Sequence, residues 1–247
     1  MEFVGRGKEL RQILRALEGG KNIILTGKYG MGRTCLMKRI AEVAGDRWRF
    51  VFTDFSRTPG NVCTDLAAEL LPGGKGQGRY GNRGYKSDRF RITHLDLKEP
   101  RPHVLVFDGI GKLSAPKLDL IRHLAAEGRF RLVAIVEAFV GEKDLLHLRA
   151  RLMPSLLIHL SHLSRKSARE FFRRFSKQHH SYWTEEEING LAEMSGGYPL
   201  GMKEIVNRNL ARFRSSKDED ISAETRDSRP RRHLRGRGAS EAWAAKR

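Results

Sequence analysis

Gly27 to Thr34 reads GKYGMGRT, and this stretch has the residue types and spacing to hold a phosphate chain. It fits the phosphate-loop pattern G-x-x-x-x-G-K-[ST], with Arg33 standing at the lysine position. Glycines let backbone N–H groups come close to an anion, and a helix opening at the end of the loop would add the positive end of its dipole. The candidate nucleotide contacts are therefore Gly27, Gly30, Met31, Gly32, Arg33, Thr34 and Cys35. The Thr34 hydroxyl is placed to join a Mg²⁺ shell, and Arg33 would supply the charge normally given by lysine to the terminal phosphates. A guanidinium is wider and planar and prefers bidentate contacts, so phosphate binding can persist while alignment for transfer suffers. The competing reading is a glycine-rich strand-to-helix turn with no ligand.

Such a loop works only between a strand and a helix. Ile23, Ile24 and Leu25 form an unbroken apolar run before it, as in a strand covered on both faces. After it, Leu36, Met37, Ile40, Ala41 and Val43 restore the helical period. Residues 7 to 18 place Leu10, Ile13, Leu14 and Leu17 on one face of an earlier helix, stopped by Gly19 and Gly20. Further strands are predicted at Arg49 to Phe55, His103 to Phe107, Phe130 to Val136 and Ser155 to Leu160, with helical patterns around 62 to 71, 115 to 126 and 142 to 150. Strands alternating with helices predict an α/β fold: a five-stranded, mainly parallel sheet flanked by helices.

Beyond residue 160 helices take over. Ala168, Phe171, Phe172 and Phe175 share a face, Thr184 to Glu187 fits a capping box, and Leu200 to Leu210 forms a third helix. The expected organisation is a nucleotide-binding α/β domain over 1–160, a small C-terminal helical lid over 161–212 and a disordered basic tail over 213–247. Within the first domain, 73–91 (GGKGQGRYGNRGYKSDRFR) reads as a Gly/Arg-rich disordered insertion.

At this point the chain resembles the P-loop ATPases of the AAA+ and STAND classes, particularly their small archaeal- and bacterial-type members. Phe3, Val4, Gly5 and Arg6, followed by Glu9 and Leu10, look like the N-terminal box that lies against the adenine in these families. Arg33 and Thr34 fall in the Walker A motif, and His103 to Asp108 (HVLVFD) resembles Walker B. Gly197, Tyr198 and Pro199 are similar to the glycine-x-proline element of the lid, which senses nucleotide in STAND proteins. The resemblance implies ATP and Mg²⁺ as cofactors, with Val4, Gly5, Arg6 and Pro199 near the base and Thr34 and Asp108 near the metal.

Asp108 closes an apolar strand, at the sheet edge where open α/β folds bind ligands. Its bland alternative is the start of an Asp108-Gly109 turn. AAA+ enzymes usually carry a glutamate directly after this aspartate, and here Gly109 stands instead. Absence of a positioned base typically costs ~10²- to 10⁴-fold in rate, so hydrolysis is expected to be weak or absent. Glu137, after the fourth strand, is either a substitute catalytic carboxylate or a residue that caps a turn or pairs with a nearby base. Lys203 is either a second sensor or a solvated charge.

Lys+Arg 47 against Asp+Glu 29 gives a net charge of +18, which favours polyanions. Residues 73–91 interleave cations with Tyr80 and Tyr85, and 229–237 cluster arginines, so the partner expectations are nucleotide and nonspecific, salt-sensitive nucleic acid. The alternative function is a degenerate P-loop scaffold that acts as a basic nucleic-acid-binding or assembly module. No apolar run approaches the ~20 residues that span a bilayer, and the start MEFVGRGKEL lacks a signal-peptide core. Cys35 and Cys63 have neither metal nor disulfide spacing, which suits a cytoplasmic location. The nine histidines make no metal set and are expected at the surface or at helix ends.

Overall fold

The computed structural model describes residues 3–70, 89–90, 92, 94, 100–179, 181 and 183–210. The insertion 73–91, apart from 89–90, and the tail including 229–237 lie outside the described residues. The chain divides into two compact units, Met1–Ile205 and Val206–Arg247. Of the second, 206–210 are described, and they are helical.

The first unit runs α1 (Gly7–Glu18), β1 (Asn22–Gly27), α2 (Arg33–Ala44), β2 (Arg49–Asp54), α3 (Pro59–Leu70), β3 (His103–Ile110), α4 (Ala115–Ala126), β4 (Phe130–Val136), α5 (Glu142–Arg151), β5 (Ser155–Leu160), α6 (Arg165–His179) and α7 (Glu185–Ser195). Helical backbone resumes at 199 and continues to the end of the unit. The five strands form one sheet in the order β2-β3-β4-β1-β5. Every described pairing is parallel, from Ile23 opposite Val133 to Asp54 opposite Asp108.

Strand alternation explains why the apolar runs are unbroken. Side chains at successive positions leave opposite faces of a strand, so a sheet covered on both sides needs apolar residues at every position. Ile24, Leu105 and Phe107 join the core on one face with Leu66, Ile121 and Leu132. Ile23, Leu25, Val104 and Val106 join the other with Ile13, Leu36 and Ile40. Asn22 is buried between them with its amide satisfied, donating to the Leu152 carbonyl at 2.9 Å and accepting from the Leu132 N–H at 2.8 Å. Buried polar groups persist where both donor and acceptor find partners, and here they tie β1 to β4 and to the end of α5.

The helical region also follows its pattern. Ala168, Phe172 and Phe175 are buried at i, i+4 and i+7 of α6, with Phe171 half-buried beside them. The Trp183 ring lies 5.6 Å from Phe175 and 6.2 Å from Phe172, between α6 and α7. Thr184 caps α7 with both arms of the capping box: its N–H donates to Glu187 Oε2 at 2.7 Å, and the Glu187 N–H donates to Thr184 Oγ1 at 3.2 Å.

Two expectations are corrected. β3 does not close at Asp108 but continues to Ile110 through a register shift against β4, so Asp108 sits in an irregularity rather than at a strand terminus. His103 is neither a surface nor a helix-end residue. It opens β3 and is 1% exposed, because the first residue of this interior strand packs edge-on to Phe130 at 6.5 Å.

Candidate functional site at the sheet edge

Parallel strands all present their C-terminal ends on one edge, so the residues after β1, β3 and β4 are brought together by topology. β4 lies between β3 and β1 in the sheet. Whatever follows β4 therefore sits between the loop that follows β1 and the Asp108 carboxylate of β3.

The glycine loop leaves β1 at Gly27 and turns into α2 at Gly32, the residue that caps the helix with φ +81°. A Cβ at Gly32 would meet nothing within 4 Å, so the space beside this helix N-terminus is open. Thr34, in the first turn, donates from Oγ1 to Asp108 Oδ2 at 2.9 Å and joins α2 to β3. Arg33 does not project into the cradle. Its side chain, 7% exposed, runs to the end of β4, where Nη1 donates to the Val136 carbonyl and Nη2 pairs with Glu137 Oε2 at 2.6 Å. Glu137 is itself fixed, since its N–H donates to the Ile110 carbonyl at 2.9 Å. The pairing with a nearby base is thus present in the structure. Cys35 is exposed on α2.

The N-terminal box is tied to this edge through Arg6. Its Nη2 donates to the Met31 carbonyl at 3.3 Å and to the Ser161 carbonyl at 2.5 Å, while Nη1 reaches Glu9 at 3.2 Å. Val4 and Gly5 instead line a cavity of about 500 Å³ against α6, together with Phe3, Lys166, Arg169, Glu170, Arg173 and Arg174. The box residues thus divide, with Arg6 clamping the loop and Phe3, Val4 and Gly5 facing α6.

Tyr198, within the glycine-x-proline element, brings the segment after α7 into contact with the loop. Its hydroxyl donates to the Tyr29 carbonyl at 3.0 Å and its ring stacks on His162 at 5.7 Å. A Cβ at Gly30 would lie 2.5 Å from the Tyr198 hydroxyl and 2.7 Å from Leu200. Pro199 starts the helical stretch between these two contact residues. The approach is possible because Gly197 has φ +70° and a Cβ there would lie 2.1 Å from the Leu163 carbonyl. Lys203 is exposed.

A second carboxylate, Asp54, was also missed. It ends β2 directly opposite Asp108. A Cβ at Gly109 would lie 3.6 Å from Asp54 Oδ1, so Asp54 lines the space that a side chain at position 109 would enter. Hydrogen bonds from Ser56, with Arg57 and Lys117 nearby, hold its carboxyl below the ordinary value. That favours a standing anion over a proton acceptor. Lys117 is buried, donates to the carbonyls of Phe55 at 2.7 Å and Ser56 at 3.3 Å, and has its ammonium pKa lowered by burial. The sequence signal for Asp54 was its place at the end of the strand beside the Asp108 strand.

A five-stranded parallel sheet flanked by helices, with a glycine loop between its β1 and α2, defines the P-loop nucleoside triphosphatase fold. The AAA ATPase domain family matches residues 2–136, more than half of the chain, and the chain belongs to that family. Solved structures with the same fold include the Orc1 protein of Aeropyrum pernix in complex with DNA. It is 14% identical with a TM-score of 0.62, over 84% of this chain and 62% of that one. Cdc6p of Pyrobaculum aerophilum is 15% identical with a TM-score of 0.63, over 87% and 65%. The RuvB Holliday junction branch migration motor of Thermotoga maritima is 16% identical with a TM-score of 0.54, also over 87% and 65%. The chain thus spans less than two thirds of these proteins. The comparison with curated proteins gave no match. No helix among the described residues is long and apolar enough to cross a membrane.

Proposed function

We propose that this chain binds an adenine nucleotide with Mg²⁺ at the phosphate loop and uses it mainly as a switch, with weak or no hydrolysis. The observation that carries this reading is the Thr34–Asp108 hydrogen bond at 2.9 Å beside an open glycine cradle. Among the described residues no cluster of three or more His, Cys, Asp or Glu could hold a metal by itself. Mg²⁺ does not need one in such a site, since it usually keeps waters and shares one or two protein oxygens with the phosphates. Two oxygens, one hydroxyl and one carboxylate, fit that donor set. Mg²⁺ would neutralise phosphate charge there.

The remaining roles belong to the chain's own groups. Backbone N–H groups from Gly30 to Thr34 donate to phosphate oxygens, and Arg6 fixes the loop through the Met31 carbonyl. Tyr198, touching the loop through Tyr29, carries the loop's state to the lid. A nucleotide can move the lid only as far as it binds one lid arrangement better than another. Weak turnover is supported by Gly109 where a base is usual and by the depressed Asp54 beside it. The test is equilibrium binding of a fluorescent adenine nucleotide to the full chain, with turnover measured on the same preparation. Saturable Mg²⁺-dependent binding that Asp108→Ala weakens at least tenfold supports the reading. An Asp108→Ala variant with binding and turnover intact refutes it.

A second reading, nonspecific nucleic-acid binding, is favoured by the net charge of +18 and by the DNA bound to the Aeropyrum Orc1 protein. Retention on nucleic acid that disappears on deleting 73–91 and 229–237, with no nucleotide effect, would support it.

A further inference from the structure

Position 109 carries no side chain, and the space left there is bounded by a carboxylate of the neighbouring strand. A Cβ at Gly109 would lie 3.6 Å from Asp54 Oδ1 and 3.8 Å from the Ser56 Cβ. Resting on the nucleotide-binding reading, we propose that Asp54 is a positioning residue for the cation. Its carboxylate accepts hydrogen bonds from the waters that Mg²⁺ keeps when bound at Thr34 and Asp108, and so supplies from β2 what position 109 cannot.

Strand geometry puts the three side chains on one side of the sheet. Alternate residues of a strand share a face. Val104 and Val106 of β3 pack with Leu36 and Ile40 of α2, and Phe50 and Phe52 of β2 pack against the same cluster. Two residues further on, Asp108 and Asp54 continue these rows. They stand opposite each other in the parallel register, where neighbouring strands run about 4.8 Å apart. The Thr34–Asp108 hydrogen bond shows that β3 keeps this face toward α2 as far as Asp108. Asp54 is therefore one strand beyond Asp108 on that face.

The local chemistry suits an acceptor held for water. Asp54 is exposed, and among the described residues it hydrogen-bonds only with Ser56, whose N–H donates to Oδ1 at 2.9 Å. An ionised carboxylate offers about four lone-pair sites, so most of them stay available. The turn that follows is braced by buried Lys117 of α4, which donates to the carbonyls of Phe55 and Ser56 and lies 5.4 Å from the centre of the Phe55 ring. A buried ammonium is costly unless its protons find acceptors, and these acceptors are the two residues beside Asp54. Glu137 offers no comparable acceptor, because Arg33 engages it at 2.6 Å. Mg²⁺ gives up its waters reluctantly and takes few carboxylates directly, so a carboxylate one strand away acts on the water around it.

The test is Mg²⁺ titration of the full chain carrying a fluorescent ADP analogue, with nucleotide affinity in EDTA measured beside it. Wild type is compared with Asp54→Asn, Asp54→Ser and Asp65→Asn. Asn and Ser each leave an oxygen for the Ser56 N–H and remove the charge. Asp65, the partner of Arg57 on α3, controls for the loss of one surface carboxylate. In wild type, Mg²⁺ should tighten nucleotide binding with a defined midpoint. Both Asp54 variants should raise that midpoint about tenfold, as when a residue that orients a metal's ligands is lost, with affinity in EDTA no weaker than wild type. Asp65→Asn should leave the midpoint within about twofold, since a surface charge is screened by salt. An unmoved midpoint in the Asp54 variants, or an equal shift in Asp65→Asn, overturns the proposal and leaves the nucleotide-binding reading standing. Affinity that falls equally with Mg²⁺ and in EDTA marks a merely structural role and overturns it as well. If wild type binds no nucleotide with or without Mg²⁺, both readings fall.

Discussion

Arg33 and Glu137 meet at 2.6 Å with side chains 7% and 23% exposed, whereas Arg173 on α6 meets Glu185 on α7 at 2.8 Å with 37% and 63% exposed. The α6–α7 pair has the better geometry, for Nε and Nη2 of Arg173 both donate to the Glu185 carboxylate, at 2.9 and 2.8 Å. These hydrogen bonds hold Arg173 above and Glu185 below their ordinary pKa values. Yet an exposed pair replaces water with little gain and is screened by salt. The sheet-edge pair is different, because a desolvated charge that loses its partner has nothing to replace it. The contrast separates a charge that solubilises a helix from one that constrains a site.

Breaking the sheet-edge pair on one side should cost most. Glu137→Leu leaves the Arg33 guanidinium buried beside Val136 with its carboxylate gone, and about 3 kcal/mol of stability should go with it. At this chain length that is a melting temperature lower by roughly 6 to 12 °C, readable by calorimetry. Restoring most of that loss with the double change Arg33→Met and Glu137→Leu would locate the cost in the orphaned charge.

Next in size is the turn at Gly197 that brings Tyr198 to the loop. Gly197→Ala forces a Cβ toward the Leu163 carbonyl at a positive φ, and about 2 kcal/mol should be lost. Thermal melts should show it, and nucleotide affinity should fall as well if Tyr198 depends on that turn. Thr184→Ala removes the side-chain arm of the α7 cap and should cost about 1 kcal/mol in a denaturant titration.

The smallest effect is expected where the hydrogen bonds look best. Arg173→Ala should leave the melting temperature at pH 7 within a degree or two of wild type. Glu170 and Glu185 have depressed folded values, so their contribution is present at neutral pH and is lost as pH falls through those values, below the ordinary 4.5. An acid titration of Arg173→Ala should therefore show a slightly shallower fall in stability than wild type over that window. A large loss at pH 7 would break the contrast between the two pairs.

Strand, loop and helix were legible because their signals are local. The run Ile23–Leu25 demanded a strand covered on both faces, and the Thr184–Glu187 spacing demanded a capping box that both hydrogen bonds complete. The partners of the site were not legible. Nothing near Arg33 in sequence announces that it will turn to Val136 and Glu137, more than a hundred residues on, because the strand order alone places β4 beside the loop. Asp54 was hidden for the same reason, since its meaning comes from lying opposite Asp108. Tyr198 lies inside the glycine-x-proline element, but that its hydroxyl meets the Tyr29 carbonyl depends on how closely the segment after α7 approaches the loop. The continuation of β3 past Asp108 was missed because an Asp-Gly step reads as a turn, and here it serves as a register shift within the strand.

If the sheet edge at Thr34 and Asp108 holds a Mg²⁺-nucleotide, nucleotide must raise the melting temperature of the chain. Nucleotide at about 100 times its dissociation constant stabilises by about 2.7 kcal/mol, which raises the midpoint by roughly 5 to 11 °C for this chain. The full chain should show that rise with Mg-ADP, lose most of it in EDTA, and lose it in Thr34→Val and Asp108→Ala variants that still melt cooperatively. No rise at millimolar nucleotide, or the same rise in both variants, would contradict the claim.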